Sequence, residues 1–177
     1  MSHSLRPKIS LFILFGVLVS LCACTSKPVE YHSKEKGFSI QFPKSWEIKE
    51  HTMKSDVAEI VVAAAGTEGN GYQQINVAVE NLPNEMGVEE YFRKEKEELS
   101  KALPQFQALE EGKETLNNQA ARWLVYSMQT KDTPAKLIVY TVVKGKQGYS
   151  ITGGTLVNQF DQYRPKFEAT AKSFRLE

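Results

Sequence analysis

Two segments with apolar side chains at both odd and even positions constrain the fold most strongly. They are residues 121–128 and 137–143. Successive side chains of a β-strand point to opposite faces, so each of these strands must be covered on both faces. In the first segment, one face carries Ala121, Trp123 and Val125, and the other carries Leu124, Tyr126 and Met128. The chain is therefore predicted to form a sheet between two covering layers.

Further strands are predicted where apolar residues alternate with polar ones or form a run between turn residues, and one mainly polar segment, residues 106–115, is predicted to be an edge strand. The further strands are residues 38–42, 46–48, 57–65, 74–80, 106–115 and 149–156. Glycines in residues 66–71 indicate a hairpin loop, and Asn117 with Asn118 indicates a tight turn. Strands joined by such short connections pair antiparallel.

Two helices are predicted to supply the covering layers. Residues 87–103 carry an apolar stripe at helical spacing, which Glu95 interrupts. Residues 162–175 carry a second stripe, with Pro165 predicted in the first turn, where a missing N–H costs least. The predicted fold class is α+β, a mainly antiparallel sheet flanked by helices.

The N-terminus has the three-part build of a secretory signal. Arg6 and Lys8 precede an apolar run over residues 9–21, and small residues follow it. The run is shorter than the roughly 18 apolar residues that a membrane-spanning helix needs. An uncleaved anchor helix and an ordinary secretory signal cut near Ala23 are the alternatives.

The end of this run, Leu21-Cys22-Ala23-Cys24, resembles the lipobox of bacterial lipoproteins. The resemblance implies that residues 1–23 are removed as a signal peptide and that Cys24 is lipidated, with palmitate among its acyl chains. Two or three acyl chains anchor a protein stably, at about 0.8 kcal/mol per buried CH₂. The implied location is the cell envelope. It is the outer membrane facing the periplasm if the host has two membranes, and otherwise the outer face of the cell membrane.

Both cysteines of the chain lie at this predicted cleavage site. The folded part therefore has no disulfide, no thiol nucleophile and no cysteine-based metal site. Removal of residues 1–23 takes away Arg6 and Lys8 but no acid, which changes the formal net charge from +1 to −1. This balanced charge excludes nucleic acid as a partner, because phosphate binding needs a basic surface.

Residues 24–36 are predicted to be a lipidated N-terminus and tether, ahead of one folded domain at residues 37–177. The segment is polar, contains Pro28 and lacks apolar periodicity. About 12 residues of coil span on the order of 20 Å, so the domain is expected to stay close to the bilayer.

Motifs at both ends of the predicted domain resemble a known family. Residues 37–46 read Gly-Phe-Ser-Ile-Gln-Phe-Pro-Lys-Ser-Trp, and residues 171–175 read Ala-Lys-Ser-Phe-Arg. The first motif resembles the opening of PsbP-like domains, and Ser173-Phe174-Arg175 resembles their ending. The DcrB-like bacterial lipoproteins belong to the same superfamily. The resemblance covers residues 37–176 and implies an α/β/α sandwich with a binding or assembly role.

The sequence contains none of the common catalytic, metal or nucleotide motifs, so no enzyme activity, metal site or cofactor is predicted. His32 falls in the predicted tether and His51 follows a short strand, and a surface position without a role is the default for both. A catalytic pairing of His51, Asp56 and a serine lacks an elbow that would activate the serine. Glu68 and Asn70 in the glycine-rich loop are a weaker alternative, as oxygen ligands for a hard cation.

Five aromatic residues are assigned to the core, and an exposed partner-binding cluster is the alternative: Trp46, Trp123, Tyr126, Tyr140 and Tyr149. The leading functional hypothesis is a non-catalytic envelope lipoprotein that binds an unidentified envelope protein. A carrier of a small apolar ligand in a pocket between sheet and helix is the second hypothesis, and a hydrolytic enzyme is the third.

Overall fold

The computed structural model describes residues 27–54, 58–68, 72–131 and 133–177. These residues form ten strands, two α-helices and one 3₁₀ turn. The strands are β1 (Val29–Ser33), β2 (Phe38–Phe42), β3 (Glu47–Lys54), β4 (Ala58–Ala65), β5 (Gln74–Asn81), β6 (Gln107–Leu116), β7 (Gln119–Gln129), β8 (Pro134–Lys144), β9 (Gln147–Leu156) and β10 (Arg175–Leu176). The helices are α1 (Val88–Ala102) and α2 (Phe160–Ser173), and the 3₁₀ turn, Val157–Gln159, leads directly into α2.

Seven strands form one sheet in the order β3-β4-β5-β9-β8-β7-β6, and each neighbouring pair is antiparallel. The polar strand β6 lies at one edge of this sheet. The turn between β6 and β7 has φ values of 45° at Asn117 and 71° at Asn118. Positive φ at both central residues is the geometry of a tight hairpin turn that asparagine tolerates. The tight turn predicted from the sequence is therefore confirmed.

The two helices pack on opposite faces of the large sheet. α1 lies over β7 and β8, in an apolar cluster that includes Leu124 and Val139. α2 lies over the other face, in the main core that includes Val125 and Phe167. Leu124 and Val125 are consecutive residues of β7, so they point into different layers. The predicted α+β fold, with a sheet between helical layers, is confirmed.

A smaller sheet brings together the N-terminal and C-terminal segments of the domain, on the α2 side of the large sheet. Its strand order is β1-β2-β10, with all pairs antiparallel. Phe38, Ile40 and Phe42 of β2 are fully buried in the main core. The ring of Phe38 stacks on that of Phe174 with centroids 5.4 Å apart. The two motifs quoted above, residues 37–46 and 171–175, therefore pack against each other.

The structure differs from the predicted tether at residues 24–36. Residues 29–33 form β1, which pairs along the whole of β2 from Val29 opposite Phe42 to Ser33 opposite Phe38. β1 is stabilised by backbone hydrogen bonds to the edge of β2. Local apolar periodicity does not indicate such pairing, because it depends on the backbone of another segment. The boundary between residues 23 and 24 lies outside the described residues.

The start of the second helix also differs from the prediction. α2 begins at Phe160, whose buried ring belongs to the main core. Pro165 consequently lies inside the helix, in its second turn. Its missing N–H leaves the carbonyl of Asp161 without the usual helical donor. Because Pro165 is exposed, water can reach this part of the helix.

Candidate binding face

α1 covers only part of its face of the seven-stranded sheet. Its apolar side chains contact β7 and β8, and none of the helices within the described ranges packs on the same side of β3 or β4. We call this uncovered area the open face. Its members are the side chains that the strand register places on the α1 side of β4, β5 and β9: Ile60, Ala63, Gln74, Asn76, Ala78 and Thr152.

The open face is a shallow trough with a floor of small side chains. The register aligns Ala63, Asn76 and Thr152 in one row, and Ile60 and Ala78 in the next row. A cleft of about 430 Å³ lies over β3, β4 and β5. A second cleft of about 350 Å³ lies over the start of β8 and the end of β9. Its lining includes Tyr72, Met128, Leu137 and Leu156. Gln74 lines both clefts, so they are neighbours on the open face.

The wall of the trough on the α1 side contains a buried acid. Glu95 interrupts the apolar stripe of α1 and points at the sheet, where it accepts hydrogen bonds of 2.5 Å from Thr141 Oγ1 and Ser150 Oγ. Ser150 lies directly opposite Ala78 of the open face in the strand register. Burial raises the pKa of the Glu95 carboxyl, and the nearby charges of Glu80 and Glu98 raise it further. The two hydroxyl donors oppose this shift.

A second polar group links α1 to β5. The hydroxyl of Tyr91 donates to Glu80 Oε2 at 2.8 Å, and Lys94 Nζ donates to Glu80 Oε1 at 2.9 Å. Burial raises the pKa of Tyr91 well above its ordinary value, so the phenol stays protonated. A side chain at position 148 would collide with the Tyr91 ring, which explains glycine at Gly148 of β9. Glu80 and Glu95 therefore both hold α1 against the sheet. Each carboxylate already accepts hydrogen bonds from two side chains.

The floor of the trough combines hydrogen-bonding groups with apolar side chains. The floor of the trough offers the amides of Gln74 and Asn76 and the hydroxyl of Thr152 among small apolar side chains. The hydroxyl of Ser150 donates a hydrogen bond to Glu95. The sequence marked Glu95 only as an interruption of the helical stripe. That interruption was the signal for a polar contact beneath α1.

The residues proposed from the sequence lie only partly within the described part of the chain. Cys24, the predicted lipidation site, lies outside the described residues, as do Asp56 and Asn70. His32 lies in β1, where its Nδ1 is 2.8 Å from Glu177 Oε1, and that hydrogen bond raises the pKa of the histidine. His51 lies in β3, and its side chain is not among those described.

The carboxylate of Glu68 is held by a lysine. Glu68 Oε2 pairs with Lys166 Nζ at 2.9 Å, and Oε1 accepts a hydrogen bond from Ser45. Lys166 consequently lowers the pKa of Glu68. Within the described residues, no group of three or more histidine, cysteine, aspartate or glutamate side chains could hold a metal ion.

The five aromatic residues singled out in the sequence belong to the core. Four are buried, and Trp123 is half-buried against the main core. The alternative of an exposed cluster formed by them is therefore wrong. Among the aromatic side chains that the structure describes, Tyr72 is the prominently exposed one, at 57% beside the open face. Its position at the end of a glycine-rich loop gave no apolar pattern from which to select it.

The described part of the chain contains no helix that is long and apolar enough to cross a membrane.

Comparison with known families and structures matches almost the whole of the predicted mature chain. The model of a family described as PsbP-like protein matches residues 24–176. A sequence comparison with curated proteins returned no match.

Several solved structures share the fold. Cyanobacterial PsbP (CyanoP) from Synechocystis has a TM-score of 0.64 at 13% identity, over 88% of this chain and 96% of that one. LpqN of Mycobacterium tuberculosis, described as involved in cell envelope biogenesis, has a TM-score of 0.63 at 13% identity, over 85% and 90% of the chains. The Ran-binding protein Mog1p of Saccharomyces cerevisiae has a TM-score of 0.57 at 8% identity, over 84% and 95%. At these identities the likeness shows the fold alone.

Proposed function

The chain belongs to the PsbP-like protein family, and from that premise we propose that it is a lipid-anchored envelope protein whose domain binds a partner protein through the open face. The observation that carries the proposal is the half-covered sheet, with its trough of small and polar side chains beside α1. Two proteins of the same fold are described by a binding or envelope role, namely Ran binding for Mog1p and envelope biogenesis for LpqN. No catalytic role is proposed.

The anchor in this proposal is Cys24, followed by a short link. β1 begins at Val29, so only residues 25–28 separate the lipidated cysteine from the folded domain. Four residues of coil span about 10–12 Å, roughly half of the distance expected from the sequence. The domain is therefore held against the membrane that carries the lipid. That membrane is the outer one in a host with two membranes.

The chemistry of the open face favours a protein partner. Protein interfaces combine an apolar centre depleted in charge with hydrogen-bonding groups and a polar rim. The trough has Ile60, Ala63 and Ala78 at its centre, and Gln74 and Asn76 supply amide groups. The charged side chains of Lys49 and Glu47 lie at its outer margin on β3. Because Ala63 and Ala78 are small, a partner backbone or large side chain can approach the sheet closely beside them.

A site-specific crosslinking experiment tests the partner. A photo-crosslinking residue, p-benzoylphenylalanine, replaces Asn76 in the open face, and a matched control replaces Ala169 on the exposed side of α2. After irradiation of intact cells, mass spectrometry should identify the same partner from position 76 across growth conditions and not from position 169. Failure to recover a reproducible partner from position 76 would contradict the proposal.

A carrier of a small apolar molecule is the second candidate. The cleft lined by Tyr72, Met128, Leu137 and Leu156 has a volume of about 350 Å³. This is at the lower end of the range of pockets that hold small ligands. Native mass spectrometry of the protein extracted from its host should then show a bound lipid or pigment. A mass equal to that of the lipidated protein alone would exclude this candidate.

A further inference from the structure

The exposed apolar side chains of the domain gather at one end of the large sheet. We call this the proximal end, at which β3, β5, β6 and β8 begin and β4, β7 and β9 end. Five large apolar side chains are prominently exposed in the described residues, and four of them lie at this end. They are Tyr72 at 57%, Leu109 at 48%, Val157 at 43% and Val29 at 40%. Met53, in the second half of β3, is the fifth.

The N-terminal segment enters the domain at the same end. Val29 pairs with Phe42, the last residue of β2. A turn then leads from β2 to β3 and is closed by a hydrogen bond that Trp46 N donates to Pro43 O. Ser45 in that turn contacts the loop between β4 and β5, because its carbonyl accepts a hydrogen bond from Thr67. The start of β1 is therefore beside the proximal end.

The other end of the small sheet is tied to the opposite end of the domain. The backbone N–H of Glu177 donates to Gly37 O at 2.9 Å. Lys144 Nζ, at the end of β8, donates to the carbonyl of Glu177 at 2.7 Å. The small sheet is thus oriented along the large one, with its Val29 end towards the proximal end.

Two acids near the proximal end are paired with lysines. Glu68 pairs with Lys166 at 2.9 Å, and Asp161 lies 3.7 Å from Lys136. Lys44 is exposed on the turn between β2 and β3. Neutralised acids and an additional lysine do not repel an anionic lipid surface.

We propose that the proximal end rests on the lipid surface, with Tyr72 and Val157 inserted among the lipid headgroups. This inference rests on the proposed anchoring at Cys24, because only four residues separate that cysteine from Val29 and a coil of four residues has a root-mean-square span of about 10–12 Å. Tyrosine suits such a position, since its ring favours the apolar boundary while its hydroxyl stays in the polar headgroup layer. The open face then lies to the side of the contact and remains accessible to a partner.

The test uses the lipidated full chain, reconstituted in vesicles of phosphatidylethanolamine and phosphatidylglycerol. Single cysteines for a fluorescent label are introduced as Tyr72→Cys and, at the exposed turn of the opposite end, Lys146→Cys. The lipid blocks Cys24, and the folded domain has no other cysteine. Lipids with a nitroxide at the headgroup should quench the label at position 72 several-fold more strongly than the label at position 146.

Three outcomes would overturn the inference. Equal and weak quenching at both positions would mean that the domain is anchored without resting on this end. Protection of position 72 from both lipid-borne and aqueous quenchers would mean that a second copy of the chain covers it. Absence of the protein from vesicles floated on a gradient would overturn the proposed anchoring itself, and this inference with it.

A second pair of proteins tests the role of the apolar side chains. The label is placed at Lys44→Cys, with and without the paired changes Tyr72→Ser and Val157→Ser. Both side chains are exposed, so the fold should be retained, as circular dichroism can verify. Quenching at position 44 should fall when both side chains are replaced. Unchanged quenching would show that the short link alone sets the distance, contrary to the proposed insertion.

Discussion

Replacement of Glu95 by glutamine should remove a pH dependence from the stability of the domain. Glu95→Gln keeps the shape of the side chain and one acceptor for the hydroxyls of Thr141 and Ser150. It removes the negative charge that burial disfavours. The change therefore separates the cost of the charge from the value of the hydrogen bonds.

The sign follows from the direction of the pKa shift. The pKa of Glu95 is raised above its ordinary value of 4.5 when the domain folds, because the carboxyl is buried beneath α1. The folded state then binds its proton more tightly than the unfolded state. The contribution of the protonated acid to stability is fully present below the unfolded pKa and is lost as the pH rises through the folded pKa.

The magnitude is set by one proton. Between the unfolded and folded pKa values, a single titrating group changes the free energy of unfolding by at most about 1.4 kcal/mol per pH unit. Wild type should therefore lose stability through Glu95 over this window as the pH rises. Glu95→Gln should lack this component and should be the more stable of the two above the window.

The difference in stability between wild type and Glu95→Gln is measured by urea denaturation of residues 24–177 between pH 4.5 and pH 8, with tryptophan fluorescence as the signal. Glu97→Gln is the matched control, because Glu97 lies on the exposed side of the same helix and pairs with Lys101. The control should keep the wild-type slope. Parallel stability curves for wild type and Glu95→Gln would refute the burial argument.

Three further changes probe the packing and the anchor. Gly153→Ala places a Cβ within 2.5–2.7 Å of three atoms of Phe167, so the free energy of unfolding in urea should fall by about 1–3 kcal/mol. An unchanged midpoint of urea unfolding would contradict the close contact. Asn117→Ala forces alanine into a left-handed turn and removes a 2.7 Å hydrogen bond to Phe174 O, at a cost of about 1–2 kcal/mol that Asn117→Gly should partly recover. Cys24→Ala should abolish acyl labelling and release the protein from membranes, whereas full retention in the membrane fraction would indicate an uncleaved helix.

The spacing of apolar residues predicted most strands of the large sheet and their faces, except that β3, predicted at residues 46–48, extends over Glu47–Lys54. β7 is the clearest case, because Ala121 and Val125 belong to the main core while Leu124 and Tyr126 contact the α1 layer. Such predictions succeed because side-chain direction in a strand depends on sequence position alone. β1 escaped prediction for the opposite reason. Its stability comes from pairing with β2, and that pairing involves the backbone of another segment.

The candidate binding face was only partly predictable. The sequence showed that two-faced strands require covering layers and that the first helix can cover one face or part of it. It could not show that α1 lies over β7 and β8 and leaves β3 and β4 open. That placement depends on how the Phe92 side of the helix packs against Leu124 and Val139, which lie far away along the chain.

Local sequence patterns locate the two helices, most strands of the large sheet, the core faces of those strands and the lipobox-like segment, because each depends on neighbouring residues and their spacing. Tertiary packing determines which part of the large sheet stays uncovered, where β1 begins relative to that sheet and which side chains Glu95 contacts. Glu95 and Ser150 are 55 residues apart, and Val29 meets Phe42 only through the small sheet. Contacts between distant segments depend on the packing of the whole domain, which no local pattern of side chains encodes.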